Sequence, residues 1–510
     1  MIAEQKHIIN KILLEVDANS ISVGYKLKDI LDVFLKEDIL PSLDRYFKSI
    51  EHQLPADIVQ ISQLNLEVNV GDHNNFEALK KDTREKLVHE IDKLIKAPMP
   101  SENIVLINTD ERQVQALLFF VEHGYAPWWK TTSGSRLFTL ADFKRSLSSD
   151  AFQNQFVALL KKNSARKRSI FQFKNKELQL LLQTAFKSQN EVKLLNREVI
   201  GKFKPLNSSS RVFMWTSVID YLLSKNEMAL VQKLYVELVN RINTKDKNIH
   251  AFAESTLIIL KQLLRIKKEI TITVLQKPIN DASQKTETIA ESILSMYSEI
   301  GLSDKAESIL KPVGRQKTPK KHQTKPLGND EMIRDISYKE DMNDSSPKTY
   351  YVQNAGLVIV HPYISRFFQN CGLLNDNNTF LDREMAAHAL HYLATKKEQQ
   401  LENDMVFEKF ICGIPIAESI NRHIQLSEDI KNQAEELLKS IIENWDALGN
   451  ASIDLLRQEF LQRVGKLSFN EDNPKIIIER KTQDILVDKL PWGIGLFKLS
   501  WFDKLIFIDW

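Results

Sequence analysis

The amino-acid sequence predicts an α+β protein, predominantly α-helical, and three observations carry that prediction. Apolar residues recur at three- and four-residue spacing through most of the chain, alternation of apolar and polar residues is confined to segments near its start, and short apolar runs broken by turn or charged residues fill its last stretch. The expectation is a mixed N-terminal domain, an irregular helical middle, and C-terminal helices followed by a small antiparallel sheet. At 510 residues the chain is long enough to bury several cores, since a length of about 100 to 200 residues suffices for one domain. Apolar residues at 43% and charged residues at 27% are ordinary globular values, so most of the chain should fold. Lys+Arg 69 against Asp+Glu 67 leaves a net charge of +2, which argues against a chain built to coat nucleic acid. Lys6, His7, Asn10, Lys11 and Glu15 interrupt any leader-like apolar stretch, and no run approaches the ~18 apolar residues of a membrane span, so stable membrane insertion is not expected.

The N-terminal domain is expected over residues 1–100. Ile8, Ile12, Leu14 and Val16 fall on alternate positions, as do Ile58, Leu64, Leu66, Val68 and Val70, and both segments predict strands. Between them Val23, Leu27, Ile30, Leu31, Phe34 and Leu35, then Ile39, Leu43, Tyr46, Phe47 and Ile50, predict two helices, with Pro41 in a first turn. A further helix over Asn75–Lys96 ends before Pro98 and Pro100.

Residues 101–310 predict an irregular helical array: Gln113–His123, Leu140–Ser148, Ala151–Lys161, Lys176–Ser188, Val212–Leu223, Glu227–Arg241, Ala251–Leu264 and Thr286–Ile300. No repeat of roughly 34 to 47 residues, the period of helical solenoids, holds across three units. Residues 311–349 predict a flexible charged linker. Lys311, Arg315, Lys317, Lys320, Lys321 and Lys325 fill its first half; Asp330, Glu331, Asp335, Glu340, Asp341 and Asp344 fill its second, a pattern of mutually attracting, solvated charge rather than a nucleic-acid tail. Residues 350–510 predict helices over Ala355–Asn370, Asp382–Thr395, Asn403–Cys412, Ser427–Trp445 and Ser452–Val464. Strands follow at Ile476–Ile478, Ile485–Val487, Leu496–Leu499 and Leu505–Ile508.

The chemistry-bearing residues have structural readings. Glu384, His388 and His391 share a helix face, but that helix also needs Ala386, Ala389, Leu390 and Leu393 for burial, and no second ligand pair at matched spacing exists. Cys371 and Cys412 sit in apolar surroundings and read as small hydrophobes in a reducing compartment, without a disulfide framework. The chain has no Gly-x-Ser-x-Gly, no phosphate-binding loop and no dinucleotide glycine fingerprint. No catalytic residue, cofactor or metal is therefore expected. Trp128 and Trp129 emerge together at a helix end, where one ring can fill the core and the other anchor an interface. Trp492, Trp501 and Trp510 stand nine residues apart, and a terminal Trp is ordered only if it is packed.

Several segments together resemble one family, the tape measure proteins of contractile injection systems, phage-tail-like particles in which a sheath contracts around a tube. The segment from His7 to Tyr46, with Ile39-Leu40-Pro41-Ser42-Leu43-Asp44, resembles that family's start, and Leu117–Trp129 its helix ending in Gly124 and Pro127-Trp128-Trp129. Five later segments match in order: Asn354–Pro362 with Gly356 and His361, Ala387–Thr395 with His391 and Tyr392, Cys412-Gly413-Ile414-Pro415, Phe460–Arg463, and Leu490-Pro491-Trp492. The resemblance covers about half of the chain, with little of it in residues 150–350. It implies a non-enzymatic assembly protein that influences tube and sheath length, partnered by tube, baseplate or cap proteins, made in the cytoplasm and incorporated in the particle. The alternative it implies is a chaperone or adaptor that does not stay in the particle. A ruler's length would scale at ~1.5 Å per helical residue, yet no sustained heptad pattern predicts a long coiled coil here.

Overall fold

A computed structural model describes residues 30–50, 58–61, 76–96, 104–127, 150–266, 349–469 and 473–510, excepting 32, 108 and 245, together with the isolated positions 9, 12, 64, 66–68, 129 and 147. The described residues fall into two compact units, one within residues 1–116 that also takes in Trp129, the other within 117–127 and 131–510. The expected strand over His7–Val16, the helices over Leu140–Ser148 and Thr286–Ile300, and the charged segment lie outside the described residues, single positions apart.

In the first unit a π-helical segment, Leu35–Ile39, runs into α1 (Leu40–Ile50). Pro41 has no N–H to give, and just ahead of it the ladder widens, so that Leu40 N–H reaches back to Leu35 O. The apolar side of this helix meets α2 (Phe76–Lys96), where Phe34, Ile39, Leu43 and Ile91 form a small buried core flanked by Tyr46, Phe47 and Leu87. Tyr46 donates to Asp92 across the pair, and Arg84 and Lys80 both meet Asp38. β1 (Ile58–Ile61) pairs antiparallel with β2 (Ile104–Ile107). Helices alone were expected from residue 104 to 310; the run Ile104-Val105-Leu106-Ile107 is instead a strand, as its β-branched composition suits. α3 (Thr109–His123) follows and from Leu117 belongs to the second unit, where Gly124, at φ 87°, closes it by returning its N–H to Phe120 O at 2.8 Å.

The second unit contains α4 (Asp150–Lys161), α5 (Asn163–Gln172), α6 (Asn175–Ala185), α7 (Arg197–Lys202), α8 (Ser208–Ser224), α9 (Glu227–Asn243) and α10 (Ile249–Ile266). Asn196, Asn207 and Asn226 set three of these helix starts, each side chain accepting N–H bonds from the first turn it precedes. α8 is central: Met214, Trp215, Val218, Ile219 and Leu222 are buried, and the Trp215 indole donates to Asn175 Oδ1 at 2.8 Å. α5 and α7 were not predicted. α5 has no apolar stripe because its buried face carries Arg168, Ser169 and Gln172.

The last part of this unit begins with β3 (Thr349–Val352). A 3-10 turn, Ala355–Tyr363, then leads into α11 (Ile364–Asn370), followed by α12 (Arg383–Thr395). A second 3-10 turn, Glu402–Met405, opens α13 (Val406–Ile411); α14 (Glu428–Asn444) follows, and α15 (Ile453–Leu455) continues as a π-helical turn, Leu456–Leu461. β4 (Gly465–Phe469), β5 (Pro474–Ile478), a 3-10 helix Thr482–Lys489, β6 (Leu496–Phe497) and β7 (Ile506–Asp509) complete the chain. The fold is α+β and predominantly helical, as predicted, with a small sheet of order β3-β4-β5-β7-β6.

That sheet is mixed rather than wholly antiparallel, because β7 inserts between β5 and β6 and runs parallel to β5. The 3-10 helix between β5 and β6 carries the chain away before it returns, so Ile485–Val487, expected as a strand, lies in that helix instead. One face of the sheet is buried: Tyr350, Val352, Leu467, Ile476, Ile478, Phe497 and Ile506 join Phe367, Leu390, Phe410 and Leu438 from the helices in one apolar cluster. Among the described residues no helix is long and apolar enough to cross a membrane.

Candidate functional site

Two of the motif segments, through Asn354 and His391, meet Glu408 of α13 in a buried polar cluster. Asn354, 2% exposed, donates from Nδ2 to Glu408 Oε1 at 2.6 Å, and the His391 ring donates from Nδ1 to the same oxygen at 2.8 Å. Among the described residues, Glu408 Oε2 and His391 Nε2 are buried with no hydrogen-bond partner. The first of these segments also touches the Phe460–Arg463 segment backbone to backbone. A Cβ on Gly356 would stand 1.7 Å from Phe460 O, and Ala355 N–H donates to Arg463 O at 2.9 Å. Only glycine admits that approach. His361 stacks on Phe497 at 4.7 Å between centroids and donates from Nδ1 to Val358 O at 3.0 Å; burial pulls its pKa down against that bond. Pro362 lies inside the 3-10 turn, two residues ahead of α11.

The histidine and cysteine candidates are engaged within the chain. His388 donates to Asn421 O at 3.0 Å and Glu384 accepts the Asn421 N–H. Burial and then the neighbouring His391 lower His388 to about 4, while burial raises the Glu384 carboxyl. Among the described residues no three His, Cys, Asp or Glu side chains are placed to hold a metal. Burial and then the Glu408 charge push the Cys412 thiol well up, and burial and Asp429 push Cys371 up to about 12, so both stay thiols near neutral pH. Gly413, at φ 66°, ends α13 in a Schellman motif: Gly413 N–H reaches Phe410 O and Ile414 N–H reaches Lys409 O at 2.8 Å. Tyr392 is buried; burial and then Glu435 raise its phenol.

The three spaced tryptophans are half-buried and each donates its indole N–H to a different segment. Trp492 reaches Ile359 O at 3.0 Å, Trp501 reaches Ile411 O at 2.8 Å, and Trp510 reaches Asp484 Oδ2 at 2.9 Å. Asp484 also receives both terminal nitrogens of Arg463, at 2.6 and 2.8 Å, and that buried guanidinium lies 5.4 Å from the Trp510 ring. Burial alone would raise the Asp484 carboxyl, but bonds from Arg463, Lys481 N–H and Trp510 outweigh it and hold it below the ordinary carboxylate range. Pro491 is exposed. Trp129 is half-buried beneath Arg112, 4.8 Å away, which also donates to its carbonyl at 2.8 Å; Trp128 lies outside the described residues.

The strongest polar feature was not anticipated. Arg168 on α5, Glu402 and Lys409 on α13 are all wholly buried, with Arg168 Nε 2.5 Å from Glu402 Oε1 and Lys409 Nζ 3.5 Å from Glu402 Oε2. Arg168 also donates to Val121 O and Glu122 O at the end of α3 and to Ala417 O. Gly124 sits against this pair: a Cβ there would meet Arg168 Nε and Glu402 Oε1 at 3.0 Å. The irregular loop from Cys412 to Leu426 is held by these charges. Lys409 donates to Ile416 O and Glu418 O, Gln172 to Ile420 O at 2.6 Å, and Arg422 to Gln172 O at 2.8 Å. A signal did exist in Val406-Phe407-Glu408-Lys409-Phe410-Ile411, where two charged residues interrupt an otherwise apolar helix. Charges so placed are buried only when paired.

Fold and site together define a protein whose motif residues close on one another, joining helix ends, a loop and a sheet edge into a fixed shape. The chain belongs to the contractile injection system tape measure protein family, whose family model matches residues 6–510, including the stretch where the sequence alone carried little resemblance. No curated protein and no solved structure matches it.

Proposed function

We propose that this chain is a non-enzymatic assembly protein that sets or influences tube and sheath length, with residues 350–510 as its docking domain for tube, baseplate or cap components. The observation that carries the reading is the family match over residues 6–510. The terminal block supports it: its Trp, Arg and Asn motif residues lock one rigid frame, the condition for presenting a constant surface to a partner. In this reading the chain is made in the cytoplasm and enters the particle. Deleting its coding sequence and measuring sheath lengths by electron microscopy tests the role: scattered or absent sheaths are expected, and uniform particles of unchanged length would refute it. Absence of the chain from purified, otherwise normal particles would favour a chaperone or adaptor instead.

A further inference from the structure

The helices α4–α10 and the block of residues 349–510 meet across a seam made of polar bonds. Arg168 pairs with Glu402, Glu402 N–H donates to Gln172 Oε1 at 2.8 Å, Arg422 N–H donates to Phe171 O at 3.4 Å, and Asn421 Nδ2 donates to Ser208 Oγ at 2.5 Å. The apolar cluster of the block, by contrast, draws all its buried members from Tyr350 to Ile506; Tyr125 packs against it from outside, and no described residue of α4–α10 belongs to it. An open groove of about 700 Å³ runs along the seam, lined among others by Phe171, Ser208, Lys233, Glu384 and Asn421.

We infer that this seam is a built-in release point, at which α4–α10 part from residues 349–510 while both cores stay folded. Arg168 and Glu402, buried against each other across the seam, regain water when it opens, which returns much of their desolvation cost. Opening strands no charge in the block, since Glu402 keeps Lys409 and the Ile420 N–H at 3.1 Å. Unfolding either core instead exposes apolar side chains, opposed by ~25 cal/mol for each Å². Separation at the seam is therefore the lower-energy opening, and the two parts remain joined through residues 267–348.

Native-state hydrogen exchange on the full chain, followed at rising sub-denaturing urea, tests this. The amides of Glu402 and Arg422 are seam reporters because their acceptors, Gln172 Oε1 and Phe171 O, lie on the other side. They should exchange at least ~100-fold faster than the paired amides of β4 and β5 or those around Ile219 in α8, with a weaker urea dependence. Arg168→Met should speed the two reporters by about 10-fold or more and leave β4 and β5 unchanged. The inference is overturned if the wild-type reporters exchange only with the cores, at the same rate and urea slope, a result that needs no variant to fold. It is equally overturned if Arg168→Met accelerates reporters and cores by one common factor.

Discussion

The indole N–H of Trp510 donates to Asp484 Oδ2 at 2.9 Å. The last residue of the chain thereby completes the coordination of a carboxylate that Arg463 already grips through both oxygens. Arg463 and Asp484 are 1% and 0% exposed, so the ring also serves as the cover that keeps water from the pair.

Trp510→Ala should lower unfolding free energy by about 2 to 3 kcal/mol, below the usual cost for a fully buried Trp because the ring is half-buried. Trp510→Phe keeps the ring over Arg463 and loses only the N–H bond, for about 1 kcal/mol. Urea unfolding of both variants checks the order. Equal losses would show that the hydrogen bond, not the cover, matters.

The contact of Gly356 with Phe460 predicts a sharper effect. Gly356→Ala places a methyl 1.7 Å from a carbonyl oxygen with backbone on both sides, so the 3-10 turn and the π-helical turn must separate. A loss of about 3 kcal/mol or more is expected. Gly413→Ala meets nothing within 4 Å but must hold φ near 66°, which costs about 1 to 2 kcal/mol. Thermal melts of the two single variants decide it, and a milder effect at Gly356 than at Gly413 would contradict the packing described.

What the sequence shows of this fold follows from where its signals are local. α4, α8, α9 and α14 bury apolar stripes, and a stripe repeats within one turn, while α12 is buried all round from Ala386 to Ala394. α5 buries Arg168 and Gln172, which donate to Ala417 O and Ile420 O in the distant loop, so no local period marks it. Ile476–Ile478 reads as a strand from its composition, whereas the parallel pairing of β5 with β7 depends on the path of the intervening chain. The packing of Trp492, Trp501 and Trp510 is legible from their size and spacing, but their acceptors Ile359 O, Ile411 O and Asp484 are not, because nothing near a tryptophan names its partner. The motif segments announce a family, and only the fold shows that Asn354, His391 and Glu408 share one hydrogen-bonded cluster.

The buried histidines predict the direction of pH dependence. His388 is pushed down to about 4 by burial and then by His391, and His423 to about 3 by burial and then by the Arg211 and Arg422 charges. An unfolded histidine takes its proton near 6.5, so between 6.5 and about 4 the unfolded chain binds a proton at His388 that the folded chain refuses. Stability is then fully present above 6.5 and falls as the pH drops, by about 1.4 kcal/mol per unit for each such group. The groups around His388 are Glu384 and His391 on its own helix, Glu398 beyond it and the Asn421 carbonyl across the loop. His388→Gln keeps a donor for Asn421 O and cannot titrate, so at pH 7 it should cost no more than about 1 kcal/mol. Urea unfolding at half-unit steps from pH 7 to pH 4 should show its stability declining less steeply than that of the wild type by about one proton, with the residual slope carried by His423 and the carboxylates. Parallel curves for the two proteins across that window would mean that His388 takes up its proton in the folded state.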